Sequence, residues 1–119
     1  MKTILAVDDS PANLTLVREA LKDHYKVNVV TSGEQALRYV EKKQPDLVLL
    51  DVCMPGMDGI ETMHKLNEFE NRTWKVIFLT ALTDANLGEQ AKALNAAGYI
   101  TKPFSPDELI ASIKETIGE

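Results

Sequence analysis

The sequence predicts an α/β fold: a parallel sheet with helices packed on both faces. Two observations carry this. Five short apolar runs alternate with five longer amphipathic stretches along 119 residues, and a βαβα order implies parallel strands joined by crossover helices. Several of the runs are apolar nearly throughout, as strands covered on both faces require.

The strands are expected at residues 3–7, 26–30, 46–50, 75–79 and 98–101. Ile4-Leu5-Ala6-Val7, Leu47-Val48-Leu49-Leu50 and Val76-Ile77-Phe78-Leu79 read as central strands. Lys26-Val27-Asn28-Val29-Val30 mixes in polar residues and reads as an edge strand. Helices are expected near 11–22, 33–43, 58–68, 84–95 and 106–117. Ser10-Pro11 opens the first, Ser32-Gly33-Glu34-Gln35 the second and Ser105-Pro106-Asp107-Glu108 the last, each with a capping serine. In the last helix Leu109, Ile110, Ile113 and Ile117 recur at helical spacing and make one buried face.

Bulk properties exclude several classes. The length suits one domain, residues 1–119, with a substantial core. A net charge of -5 argues against a direct nucleic-acid surface, which needs a basic face. No apolar stretch approaches the roughly 18 residues of a membrane span. The N-terminus lacks the form of a signal peptide. Cys53 is the only cysteine, so neither an internal disulfide nor a thiolate metal cluster can form, and a reduced, cytoplasmic location is expected.

Chemistry concentrates where the apolar runs end. Asp8 and Asp9 follow the first run, Asp51 the third, Thr80 the fourth, and Lys102 comes shortly after Tyr99-Ile100. Parallel strands would align these ends along one edge, where ligands bind in open α/β sheets. Two carboxylates about 5 Å apart repel by roughly 3 kcal/mol at an effective dielectric near 20, so such a cluster calls for a compensating cation. Oxygen-only donors suit Mg²⁺, which takes one or two carboxylates together with waters and phosphate oxygens. A glycine-rich phosphate loop is absent after the first run, where Asp8-Asp9-Ser10-Pro11-Ala12-Asn13 stands. Asp51-Val52-Cys53 also lacks the second acid of the Asp-x-Asp pattern of aspartate-nucleophile phosphatases.

These residues resemble a known family, the receiver domain of two-component response regulators. The resemblance rests on Val7-Asp8-Asp9, on Asp51-Val52-Cys53-Met54-Pro55-Gly56-Met57-Asp58-Gly59, on Thr80-Ala81 and on Tyr99-Ile100-Thr101-Lys102-Pro103-Phe104. It covers essentially the whole chain, and four motifs in order are far more specific than any one. It implies a flavodoxin-like, doubly wound five-stranded sheet of order 2-1-3-4-5, the order of the chemotaxis member of the family.

By position, the resemblance implies that Asp51 is the phosphoacceptor. Its donor would be a phosphohistidine on a sensor histidine kinase or a histidine phosphotransfer protein. Asp9, Asp51 and the backbone carbonyl of Cys53 would ligate Mg²⁺, with Asp8 acting through a bound water. Lys102 and Thr80 would meet phosphoryl oxygens. Thr80 and Tyr99 would form the switch, reporting to a face built from the fourth helix, fifth strand and fifth helix, roughly residues 84–117. A downstream output protein or a fused output domain would read that face. Free-substrate turnover is not expected, since the domain would catalyse only its own phosphorylation and dephosphorylation.

The resemblance also suggests a cis peptide at Lys102-Pro103, where sequence alone makes trans the default. Asn95-Ala96 replaces the family's frequent Gly-Ala after the fourth helix, and asparagine tolerates the left-handed conformation such a turn needs. Two alternatives stay open: a receiver-like interaction module that signals without phosphate, and a small aspartate-nucleophile phosphatase.

Overall fold

Alternation along the strands divides the core in two. In the computed structural model, which describes residues 1–70, 72–80, 89–90 and 92–118, strands β1 (Thr3–Val7), β2 (Lys26–Val30), β3 (Leu47–Asp51), β4 (Lys75–Thr80) and β5 (Gly98–Thr101) form one sheet. Side chains two apart share a face. Leu5, Val7, Val48, Leu50, Val76 and Phe78 therefore pack on one side, against Ala36 and Val40 of α2 (Gly33–Lys42) and Met63 and Leu66 of α3 (Gly59–Asn67). Ile4, Ala6, Leu47, Leu49, Ile77 and Leu79 pack on the other. Their partners are Leu14, Val17 and Leu21 of α1 (Pro11–Leu21) and Leu109 and Ile113 of α4 (Pro106–Ile117).

The sheet is parallel throughout, in the order β2-β1-β3-β4-β5. That is the expected 2-1-3-4-5 arrangement, with the mixed-polarity strand β2 at the edge. Four helices lie among the described residues, and α4 is the fifth of the sequence reading. Half of the expected helix at 84–95 falls outside the described residues, as do Ala81 and Leu82. Two strands run one residue further than expected, so Asp51 and Thr80 belong to β3 and β4 themselves. Apolar patterning stops at the last hydrophobic residue, whereas backbone pairing continues one step beyond it.

Local chemistry sets the helix starts. Ser10, Ser32 and Ser105 accept the N–H groups of Asn13, Gln35 and Glu108, as their N-cap positions predict. Asp58 caps α3 in the same way through the N–H of Glu61, at 2.8 Å. Asn95 has φ +64°, the left-handed turn its side chain tolerates, and the Lys102-Pro103 peptide is cis.

One close approach bears directly on the strand-end edge. The Gly59 N–H donates to the Val52 carbonyl at 2.9 Å, seating the first turn of α3 on the end of β3. A β-carbon at Gly59 would lie 2.3 Å from the Asp51 carbonyl oxygen and 2.7 Å from the Val52 Cα. Both are backbone atoms with little room to yield. Gly59→Ala is therefore expected to destabilise the fold by about 1–3 kcal/mol, the usual cost of overpacking. Urea unfolding measures it, and an unchanged midpoint with an unchanged slope would contradict so tight a seat.

Candidate functional site

Register brings the acids together. Val7 of β1 pairs with Leu50 of β3, so the next step along each strand sets Asp8 beside Asp51. Both side chains are buried, while Asp9, one residue on, is exposed at the rim. One carboxylate oxygen from each of Asp8, Asp9 and Asp51 lies within 4.8 Å of the others. On the far side β4 pairs with β5 through Thr80 and Thr101, and the Lys102 N–H continues the ladder to the Thr80 carbonyl at 2.6 Å. The lysine thus leaves the sheet next to buried Thr80.

The Lys102 ammonium reaches back across this edge. Its Nζ lies 3.0 Å from Asp8 Oδ2 and 3.4 Å from Asp51 Oδ1, bridging the two buried acids. Asp8 also accepts the Ser10 N–H at 2.9 Å and the Asn13 side-chain amide at 3.3 Å. Asp51 Oδ1 accepts the Cys53 N–H at 3.4 Å, a long contact. Burial, then the charge of Asp8, pushes the Asp51 carboxyl above its ordinary value, against the pull of Lys102 and the Cys53 N–H. For Lys102 burial opposes the charge, yet Asp8 and Asp51 outweigh it and hold the ammonium above its ordinary value.

The donor set suits a hard divalent ion. Three carboxylates against one ammonium leave two negative charges when all are ionised, the complement of a single M²⁺. One oxygen of each acid is close enough to the others for a single small cation to draw on the group. No thiolate or imidazole joins these acids among the described residues.

The structure gathers Asp8, Asp9, Asp51, Thr80 and Lys102 at one end of the sheet. Cys53 lies two residues beyond Asp51 in loop 52–58, its own side chain exposed. Tyr99 lies apart, on β5 opposite Phe78, with 52% of its surface exposed, and is not a core tyrosine. Asn13 was not singled out from sequence. Its amide orients Asp8 from the first turn of α1, and the only signal in the sequence is its spacing of five residues from that acid.

Comparison with known proteins identifies the family. The response regulator receiver domain family matches residues 4–114. Sporulation initiation phosphotransferase F of Bacillus subtilis is 37% identical over 94% of this chain and 90% of that protein. The alkaline phosphatase synthesis transcriptional regulatory protein PhoP of the same species is 38% identical over 95% of this chain, which spans only 47% of that longer regulator. Among solved structures, the chemotaxis response regulator CheY4 of Vibrio cholerae superposes with a TM-score of 0.90 at 30% identity, covering 98% of each chain. The chain belongs to the response regulator receiver domain family.

Proposed function

We propose that this receiver domain accepts a phosphoryl group on Asp51 from a phosphohistidine, in a reaction that depends on Mg²⁺. The observation that carries the reading is the meeting of Asp8, Asp9 and Asp51 with Lys102 bridging the two buried acids. The Asp51 carboxylate attacks phosphorus in line. A P–O bond forms as the P–N bond to the donor imidazole breaks, and the imidazole leaves on its own protein. Phosphoryl transfer asks little of a protein beyond positioning and charge neutralisation. Asp9, Asp51 and the Cys53 carbonyl would hold Mg²⁺, with Asp8 acting on it through water, and the bound ion would supply the balancing charge. Lys102 supplies a second positive charge for one phosphoryl oxygen, and the Thr80 hydroxyl donates to another.

Lys102 serves both states of the site. Before transfer it holds Asp8 and Asp51; after transfer it turns to a dianion on the same side chain. Thr80 reorients toward that dianion, and Tyr99 moves with it. Through Tyr99 the change reaches the face around β5 and α4, where an output protein or fused output domain reads it. The donor is a sensor histidine kinase or histidine phosphotransfer protein, and a cytoplasmic location goes with it. The domain turns over only its own phosphoryl group. Supplying Mg²⁺ and a small acyl-phosphate donor should place one acid-stable, base-labile phosphoryl group on the wild-type chain and none on Asp51→Asn. Absence of label would favour a phosphate-independent interaction module, and multiple turnover of varied esters a phosphatase.

Proton linkage gives an independent check. Because the folded-state value of Asp51 is raised, the native chain keeps a proton that the unfolded chain has already released. Stability from this group is full below its unfolded pKa of about 4 and falls as pH rises through the folded value. Lys102 is also raised, so its contribution is full below about pH 10 and lost only above that. Without Mg²⁺, Asp51→Asn should therefore unfold at a higher temperature than wild type at pH 7. The difference should shrink as pH falls, because protonation of the wild-type carboxyl removes the buried charge. Saturating Mg²⁺ should raise the wild-type midpoint alone. A lower midpoint for Asp51→Asn at pH 7 without Mg²⁺ would show that Lys102 more than compensates the buried charge.

A further inference from the structure

Gly33 opens α2, where alanine would favour the helix by up to about 1 kcal/mol. No positive φ requires glycine there. Space does: a β-carbon at Gly33 would lie 2.2 Å from Thr62 Oγ1 and 3.0 Å from Met57 Sδ. Both side chains belong to the opposite bank, Thr62 on α3 and Met57 in the loop between β3 and α3. Thr62 is fully buried, and its hydroxyl donates to the Asp58 carbonyl at 2.7 Å. Asp58 in turn caps α3 and closes the loop. A methyl at Gly33 must therefore displace the Met57 side chain or push the Thr62 hydroxyl off Asp58.

That loop carries Cys53. Its near end is tied down by the Val52 N–H to the Leu79 carbonyl at 3.1 Å and by the buried side chains of Val52 and Met54. Its far end rests on α2 through Met57 and on Thr62 through Asp58. Pro55 stiffens the span between, and Gly56, at φ +73°, makes the turn. We propose that Gly33 is a positioning residue for the cation site: the bare first turn of α2 is the seat that holds loop 52–58 so that the Cys53 carbonyl is presented together with Asp9 and Asp51. This rests on the Mg²⁺ reading above and extends it to a residue that touches neither metal nor phosphoryl group.

Mg²⁺ titration followed by backbone amide NMR, with the thermal midpoint measured separately without metal, tests it. Gly33→Ala should weaken Mg²⁺ binding about tenfold, the low end of what changes behind a metal's ligands cost. The amides of residues 52–58 should shift before any metal is added. Thr62→Ala in the same chain removes the hydroxyl that the new methyl meets. The double variant should bind Mg²⁺ within about twofold of Thr62→Ala alone, which assigns the effect to the meeting of the methyl with the Thr62 hydroxyl. Wild-type affinity in a folded Gly33→Ala chain would overturn the proposal. Should Gly33→Ala fail to fold, Met57→Ala withdraws the loop's contact without crowding α2. It should weaken Mg²⁺ several-fold, and unchanged affinity would equally overturn the seat. Wild type that takes up no Mg²⁺ would remove the metal reading itself. Binding by wild type but not by Asp51→Asn would keep that reading whatever Gly33 does.

Discussion

The register between β1 and β3 is the constraint on which the site depends. Pairing Val7 with Leu50 leaves Asp8 and Asp51 no choice but to be neighbours, both withdrawn from water. A slip of one residue would send alternate side chains to the opposite face and exchange the two cores. Both strands are apolar on each face, so the fit of each face to its own pair of helices holds the register, and that fit also places the two carboxylates. Lys102 makes the placement tolerable, because one ammonium lies within reach of both buried acids.

Packing and chemistry are coupled through the loop that leaves β3. Apolar burial contributes roughly 25 cal/mol per Å², and the central strands are buried along nearly their whole length on both faces. That reservoir offsets the cost of holding charge at the strand ends. It also demands close approach. Gly59 touches the backbone of Asp51 and Val52, and Gly33 leaves no room beside Thr62. Two glycines from different helices bound the loop, one beneath its junction with α3 and one at its outer flank.

Much of this was legible in the sequence because the signals were periodic or local. Apolar runs located all five strands, serine caps located three helix starts, and the residues ending those runs turned out to share one edge. The fifth strand, Gly98–Thr101, was legible despite its length because Tyr99-Ile100 precedes a lysine-proline pair. What the sequence withheld was pairwise and distant. Gly33 meets Thr62 across two helices, with nothing in the sequence to announce it, and Asn13 orients Asp8 with only a spacing of five residues as a sign. The cis Lys102-Pro103 bond ran against the trans default of the residues themselves and was suggested only by family resemblance. The strand boundaries at Asp51 and Thr80 were missed by one residue because polarity hid them.

The two buried acids are unequal, and under the proposed phosphoryl transfer the inequality favours Asp51 as the acceptor. Asp8 accepts a backbone N–H at 2.9 Å, an ammonium at 3.0 Å and a side-chain amide at 3.3 Å. Asp51 has the same ammonium and one backbone N–H, each at 3.4 Å. Charge-assisted hydrogen bonds tighten and strengthen as they shorten, so Asp8 is the more fully stabilised anion and the poorer nucleophile. Asp51 is held by two longer contacts, which on that proposal would yield as phosphorus approached. Burial and Asp8 raise its basicity, and basicity in an oxygen anion favours bond formation to an electrophile. An acid saturated with donors anchors the site while its less satisfied neighbour stays available. This asymmetry follows from the chain itself: after β1 the N-cap Ser10 and Asn13 in the first turn of α1 both face Asp8, whereas beyond β3 the loop offers Asp51 the N–H of Cys53.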